Sequence, residues 1–106
     1  MYPYGYNTSV YQLQQTDVFE KWLLGVRDIR AKARVLARLE SVRLGNLGDV
    51  RSVGGKVSEM RIDAGAGYRV YFTRRRQVVL ILLCGGDKSS QERDIARAKR
   101  IAQALE

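Results

Sequence analysis

With no histidine and a single cysteine, Cys84, the 106-residue chain lacks the usual side chains for acid–base work near neutrality and for metal ligation. The chemistry open to it rests on carboxylates, lysines, tyrosines and arginines. Two stretches gather these types at informative spacings. In Val57 to Ile62, alternation sends Met60 and Ile62 to a core and Glu59 and Arg61 to the other side. In Tyr68 to Thr73 it sends Tyr68, Val70 and Phe72 inward, and Arg69 and Tyr71 outward. Pairing across the Gly-rich turn Asp63-Ala64-Gly65-Ala66-Gly67 unites Glu59, Arg61, Arg69 and Tyr71 on one outward face, and a slip of one register step separates them. The set reads either as an ordinary cross-strand ion pair or as an anion clamp. Further on, Asp87, Lys88, Gln91 and Asp94 sit where a strand hands over to a helix, whose first backbone N–H groups favour anions. A phosphate held between Arg69 and that helix start would be well neutralised.

The elements that must position these residues follow from hydrophobic period. Val10 to Gln15 reads as a short first strand. Phe19, Trp22, Leu23 and Val26 recur at helical spacing, with Asp17 and Glu20 resembling a capping box. A second helix is expected over Asp28 to Arg43, with Ala31, Val35, Leu39 and Val42 on its core face, helped by Leu36, and Arg27, Arg30, Arg34 and Arg38 climbing another. From Val50 the period changes to two. Strands are expected over Val50 to Val53, Val57 to Ile62, Tyr68 to Thr73 and Val78 to Cys84, the last an apolar run suited to a central position and ended by Gly85-Gly86. Ser89 with Glu92 opens a final helix, whose face is Ile95, Ala98, Ala102 and Leu105. The order β-α-α-β-β-β-β-α is that of an α+β domain with an antiparallel sheet.

Charge narrows the partners. There are 19 Lys and Arg against 11 Asp and Glu, a net +8, and residues 27–76 alone carry +8. Such a block suits a polyanion, with nucleic acid ahead of membrane, or else a solvated basic surface. The longest apolar run, Val78 to Cys84, is far short of the roughly 20 residues of a membrane span. The opening MYPYGYN lacks a signal peptide's pattern, so a cytoplasmic protein without disulfide, metal or cofactor is expected. Residues 1–9, with Tyr2, Tyr4 and Tyr6, read as a flexible arm, and residues 10–106 as a single domain.

Several separated motifs then match one family in order: Trp22-Leu23, Arg27-Asp28, Ala33-Arg34, Gly45-Asn46 through Gly48-Asp49, Val53-Gly54, Glu59-Met60-Arg61-Ile62, Gly67-Tyr68-Arg69-Val70-Tyr71-Phe72 and Gly85-Gly86-Asp87-Lys88. Over roughly residues 16 to 105 the chain resembles the phage-derived addiction-module killer proteins, a branch of the RelE/HigB superfamily of type II toxins. The resemblance implies a RelE-like fold: an N-terminal strand and αα-hairpin packed on a twisted antiparallel sheet, with a C-terminal helix. It also implies cleavage of mRNA in the ribosomal A site and inhibition by a cognate helix-turn-helix antitoxin, with operator DNA bound only through the toxin–antitoxin complex. By resemblance Arg69 takes the phosphate-contacting position and Lys88 the basic position that assists the leaving group. Asp94 stands where RelE has an important tyrosine, Lys56 and Arg61 are the basic residues where RelE has paired lysines, and the histidines of some HigB toxins are missing.

Cleavage through the RNA's own 2′-OH needs a proton acceptor, phosphate stabilisation and help for the departing 5′-oxygen. Arg69 supported by Arg61 is the expected clamp, Lys88 the leaving-group aid, and Asp94 or Glu59 the base or an orienting group. Lys56, Tyr71, Arg51, Arg30, Arg34 and Arg38 are the expected RNA and ribosome contacts; the helical arginines read equally as the solvated back of an amphipathic helix. Arg74-Arg75-Arg76 reads as a charged hairpin turn or a phosphate-contacting tip. Cys84, Trp22 and Phe19 are expected in the packing. The alternative function is a non-catalytic nucleic-acid- or partner-binding module on the same fold.

Overall fold

The computed structural model describes residues 10–106; the arm expected over residues 1–9, with Tyr2, Tyr4 and Tyr6, lies outside the described residues. The chain runs β1 (Gln12–Gln15), α1 (Asp17–Gly25), α2 (Ile29–Arg43), β2 (Val50–Gly54), β3 (Val57–Ile62), β4 (Tyr68–Arg75), β5 (Val79–Gly86), a 3-10 turn over Lys88–Ser90 and α3 (Gln91–Ala104). The α+β expectation holds. The five strands form one sheet in the order β1-β5-β4-β3-β2. Strands β2 to β5 are antiparallel as expected, whereas β1 lies parallel to β5. Parallel neighbours need a long connection, and the helices and strands between β1 and β5 supply it.

Local chemistry explains the helix starts. Thr16, not Asp17, caps α1: its hydroxyl accepts from Phe19 N at 3.1 Å and donates to the Leu83 carbonyl at 2.7 Å, tying the helix to β5. Asp28 caps α2 by accepting from Arg30 N and Ala31 N, each at 3.1 Å. The expected Ser89–Glu92 box is replaced by Asp87, which accepts from Ser89 N at 2.8 Å and turns the chain into α3.

Both faces of the sheet are covered. One packs Met60, Ile62, Val70, Phe72, Leu80 and Leu82 against Phe19, Val35, Leu39 and Val42 of the αα-hairpin. Leu36 stays half exposed rather than joining that face. The other face packs Val57, Tyr71, Ile81, Leu83 and Cys84 against Ala98 and Ala102 of α3. Gly85-Gly86 does not end β5 but continues it. A Cβ on Gly85 would lie 2.3 Å from the Trp22 ring, and one on Gly86 would lie 1.8 Å from an Asp94 carboxylate oxygen. The glycine pair lets a helix press on each face at the same point.

Candidate functional site

The β3–β4 register places Glu59 opposite Tyr71 and Arg61 opposite Arg69, so the four residues do share one face. That face is not solvated. Glu59 and Tyr71 are fully buried and Arg69 is 6% exposed, because α3 lies across them. The outward orientation read for Glu59, Arg69 and Tyr71 is therefore corrected: alternation distinguishes the two sides of a strand, and here both sides are interior. Arg61, nearer the hairpin turn, remains about half exposed.

Glu59 is the hub of this buried layer. One carboxylate oxygen accepts from Arg51 Nε at 2.9 Å; the other accepts from Tyr71 Oη at 3.1 Å and Gln91 Nε2 at 2.8 Å. Burial pushes the Glu59 carboxyl up, but the hydrogen bonds from Arg51, Gln91 and Tyr71 outweigh it and leave the group below its ordinary value. It is a carboxylate at neutral pH. Burial, reinforced by the Glu59 charge, drives the Tyr71 hydroxyl in the opposite direction, well above the usual phenol range.

Arg69 Nη1 donates to the Gly67 carbonyl at 2.6 Å. Its Nε lies 3.6 Å from Glu59 and is buried without a hydrogen-bond partner. Gly67 has φ +77°, and a Cβ on it would meet Arg69 Nη1 at 3.3 Å and Lys88 Cβ at 3.4 Å. The missing side chain thus leaves room beside one glycine for the Arg69 guanidinium and for the start of the Lys88 side chain, which come from different elements. Lys88 is exposed, and its backbone N donates to the Ala66 carbonyl at 3.4 Å.

Beside this point opens a cleft of about 680 Å³ between α2 and the β3–β4 hairpin, lined by Arg34 and Arg38 from the helix, Arg61 and Arg69 from the strands, and Asp49 and Asp63. Its size is that of a small-ligand pocket. Arg38 donates to the Asp49 carbonyl at 3.4 Å, and its guanidinium lies against Gly48, where a Cβ would come within 2.7 Å. Burial lowers the Arg38 pKa and Asp49 opposes that shift. A second hollow of about 460 Å³ lies along Lys88 to Arg93.

The remaining expected residues divide. Asp94 is 7% exposed, accepts from Ser90 Oγ and sits over Gly86 at the start of α3. Lys56 stands at the opposite end of β3 from Arg61, paired with Glu106 at 3.2 Å. Arg51 touches the site through Glu59, with its side chain 54% exposed. Arg30 is exposed on α2 outside the cleft. Sequence reasoning missed that Arg34 and Arg38 converge with Arg61 and Arg69. The available signal was the Gly48-Asp49 step, whose glycine admits the Arg38 guanidinium.

Comparison with known proteins extends these observations. A family model described as phage-derived protein Gp49-like matches residues 21–106. An uncharacterized protein of Haemophilus influenzae is 48% identical over 94 residues, covering 89% of this chain and 95% of that protein. A mutant of the E. coli toxin RelE, solved in the free state, matches with a TM-score of 0.67 at 17% identity, over 87% of this chain and 98% of that one. This last likeness is one of fold, and it bears out the RelE-like architecture.

Proposed function

The chain belongs to the Gp49-like family of phage-derived proteins, within the RelE-like superfamily, and from that premise we propose that it is the toxin of a type II toxin–antitoxin pair, acting on the ribosome to cut translated mRNA. The observation that carries this reading is the cleft lined by four arginines, at whose edge Arg69 and Lys88 both lie against Gly67.

In this reading the scissile phosphate sits at the lip of the cleft. Arg69 and Arg61 neutralise its oxygens, which gain charge as the 2′-oxygen attacks phosphorus and the bond to the 5′-oxygen breaks. Lys88, exposed beside Gly67, supplies a proton or positive charge to the departing 5′-oxygen. The products are a 2′,3′-cyclic phosphate and a 5′-hydroxyl. Glu59 orients Arg51, Tyr71 and Gln91 and places its charge near Arg69; with both oxygens engaged in a buried layer it is a positioning group rather than the proton acceptor. Asp94 fixes the first turn of α3 through Ser90, and so the setting of Lys88. The 2′-OH proton passes to water or to a ribosomal RNA group as the 2′-oxygen attacks. A ribosome that holds the mRNA in line supplies orientation worth several kcal/mol, which accounts for a weak constellation acting only there. Arg34, Arg38 and Arg30 extend the cationic surface along α2 toward ribosomal RNA.

The engagement of both Glu59 and Asp94 in internal hydrogen bonds favours one other reading, a non-catalytic binding module. Induced expression with mapping of mRNA 5′ ends separates the two. The toxin reading expects new ends and growth arrest, both lost in Arg69→Ala and Arg69→Gln variants that retain the wild-type circular dichroism spectrum. Growth arrest without new ends supports the binding module, and toxicity surviving both substitutions removes Arg69 from the mechanism.

A further inference from the structure

Helix α2 carries three faces. Ala31, Val35, Leu39 and Val42 are buried. Arg27, Arg30 and Arg34 run up one flank, beginning just before the helix. Between that flank and Lys32 lies a third face that nothing in the fold covers: Ile29 is 83% exposed and Leu36 50%, with Ala33 between them, and the apolar stretch ends one turn beyond Leu36 at Glu40, which pairs with Arg43. Lys32, on the border of this face, donates from Nζ to the Leu24 carbonyl at the end of α1 at 3.4 Å. Ile29 and Leu36 stand two turns apart, about 10 Å along the axis. Exposed aliphatic side chains grouped this way mark an interaction surface more than a solvated helix back.

Charge selects the occupant. Among the described residues no carboxylate pairs with Arg27, Arg30 or Arg34. A second copy of this chain would bring the same arginines together around the ridge, at a net charge of +8 on each copy. RNA would satisfy the arginines and leave Ile29 and Leu36 unmatched. An amphipathic segment with aliphatic residues on one side and carboxylates along its margin satisfies both. Its position has a consequence. Arg34 and its neighbour Ala37 also line the arginine cleft, so a segment on the ridge stands at the mouth of the site.

We propose that the Ile29–Ala33–Leu36 ridge is the docking site of an acidic amphipathic segment of the antitoxin, which blocks RNA at the cleft mouth while α3 stays in place; the inference rests on the toxin–antitoxin reading above. The test uses the full chain and the purified product of the adjacent antitoxin gene. Wild type is expected to bind it and to release a ribosome-bound fraction. The Ile29→Ser/Leu36→Ser double variant is expected to bind on the order of tenfold or more weakly, with unchanged thermal midpoint, unchanged ribosome binding and growth arrest that the antitoxin no longer relieves. Ile29→Ser alone is expected to fall between the two. No binding by wild type removes the toxin–antitoxin reading itself. Full binding and neutralisation by the double variant overturn the ridge and leave that reading intact. A wild-type dimer that the double variant abolishes assigns the ridge to self-association, and a loss of ribosome binding in the double variant assigns it to RNA; either result overturns the proposal.

Discussion

At the residue scale, Glu59 carries the largest consequence. Its carboxylate accepts hydrogen bonds from Arg51, Tyr71 and Gln91 while fully buried. Glu59→Gln leaves the shape, removes the charge that faces Arg51 and Arg69, and replaces one acceptor oxygen by a donor, so at least one of Arg51, Tyr71 and Gln91 loses its partner. A loss of about 3 kcal/mol at pH 7 is expected. The sign with pH follows from the depressed native pKa. Stability from the ionised group is fully present above the unfolded carboxyl value and is lost as pH falls through the lower native value. Thermal midpoints of wild type and variant should therefore converge as pH drops from 6 toward 3; a constant gap would show that the charge contributes nothing. Cys84 offers a second check. Burial, with Asp94 nearby, pushes its thiol up to about 11, so it should resist iodoacetamide at pH 8 in the native protein and react only after unfolding.

At the scale of elements, β5 shows what a linear pattern reveals and what it hides. The run from Val78 to Cys84 announced a strand covered on both sides, and β5 is that strand, between β1 and β4. Its two glycines read as a terminator because a glycine's local effect is visible in sequence while its neighbours across the fold are not. Trp22, over Gly85, comes from more than sixty residues away, and Asp94, over Gly86, from the next helix. Gly85→Ala should cost about 2 kcal/mol by overpacking and lower the thermal midpoint by roughly 10 °C, with a shifted Trp22 emission. An unchanged midpoint would mean that the ring slides freely. The same limit governed the site. That Glu59, Arg61, Arg69 and Tyr71 share a face was legible from alternation, whereas the opposition of Glu59 to Tyr71 and of Arg61 to Arg69 depends on a register that the glycine-rich turn left open. The burial of that face was not legible, because it depends on where α3 lands. Nor was the approach of Arg34 and Arg38, which depends on how α2 crosses the hairpin.

At the scale of the whole molecule, the question is whether a net +8 acts as a general field or as a directed surface. A general field would attract any polyanion in proportion to total charge. The fold argues for direction: Arg34, Arg38, Arg61 and Arg69, spread over 35 positions of sequence, line a single cleft, while Arg30 continues the row on α2. Each phosphate contact made by such a surface releases condensed counterions, so the logarithm of affinity falls with the logarithm of salt in proportion to the number of contacts. Arg30→Glu/Arg34→Glu should weaken ribosome cosedimentation at 50 mM salt and reduce the magnitude of the salt slope by roughly 1.5. Arg97→Glu/Arg100→Glu changes the net charge identically on the exposed side of α3 and serves as the control, expected to leave the slope unaltered. Both pairs are exposed, so neither should shift the melting temperature by more than about 1 °C. If the two pairs lower the slope equally, total charge is the operative quantity, and the row of arginines along α2 is no more than a solvated helix flank.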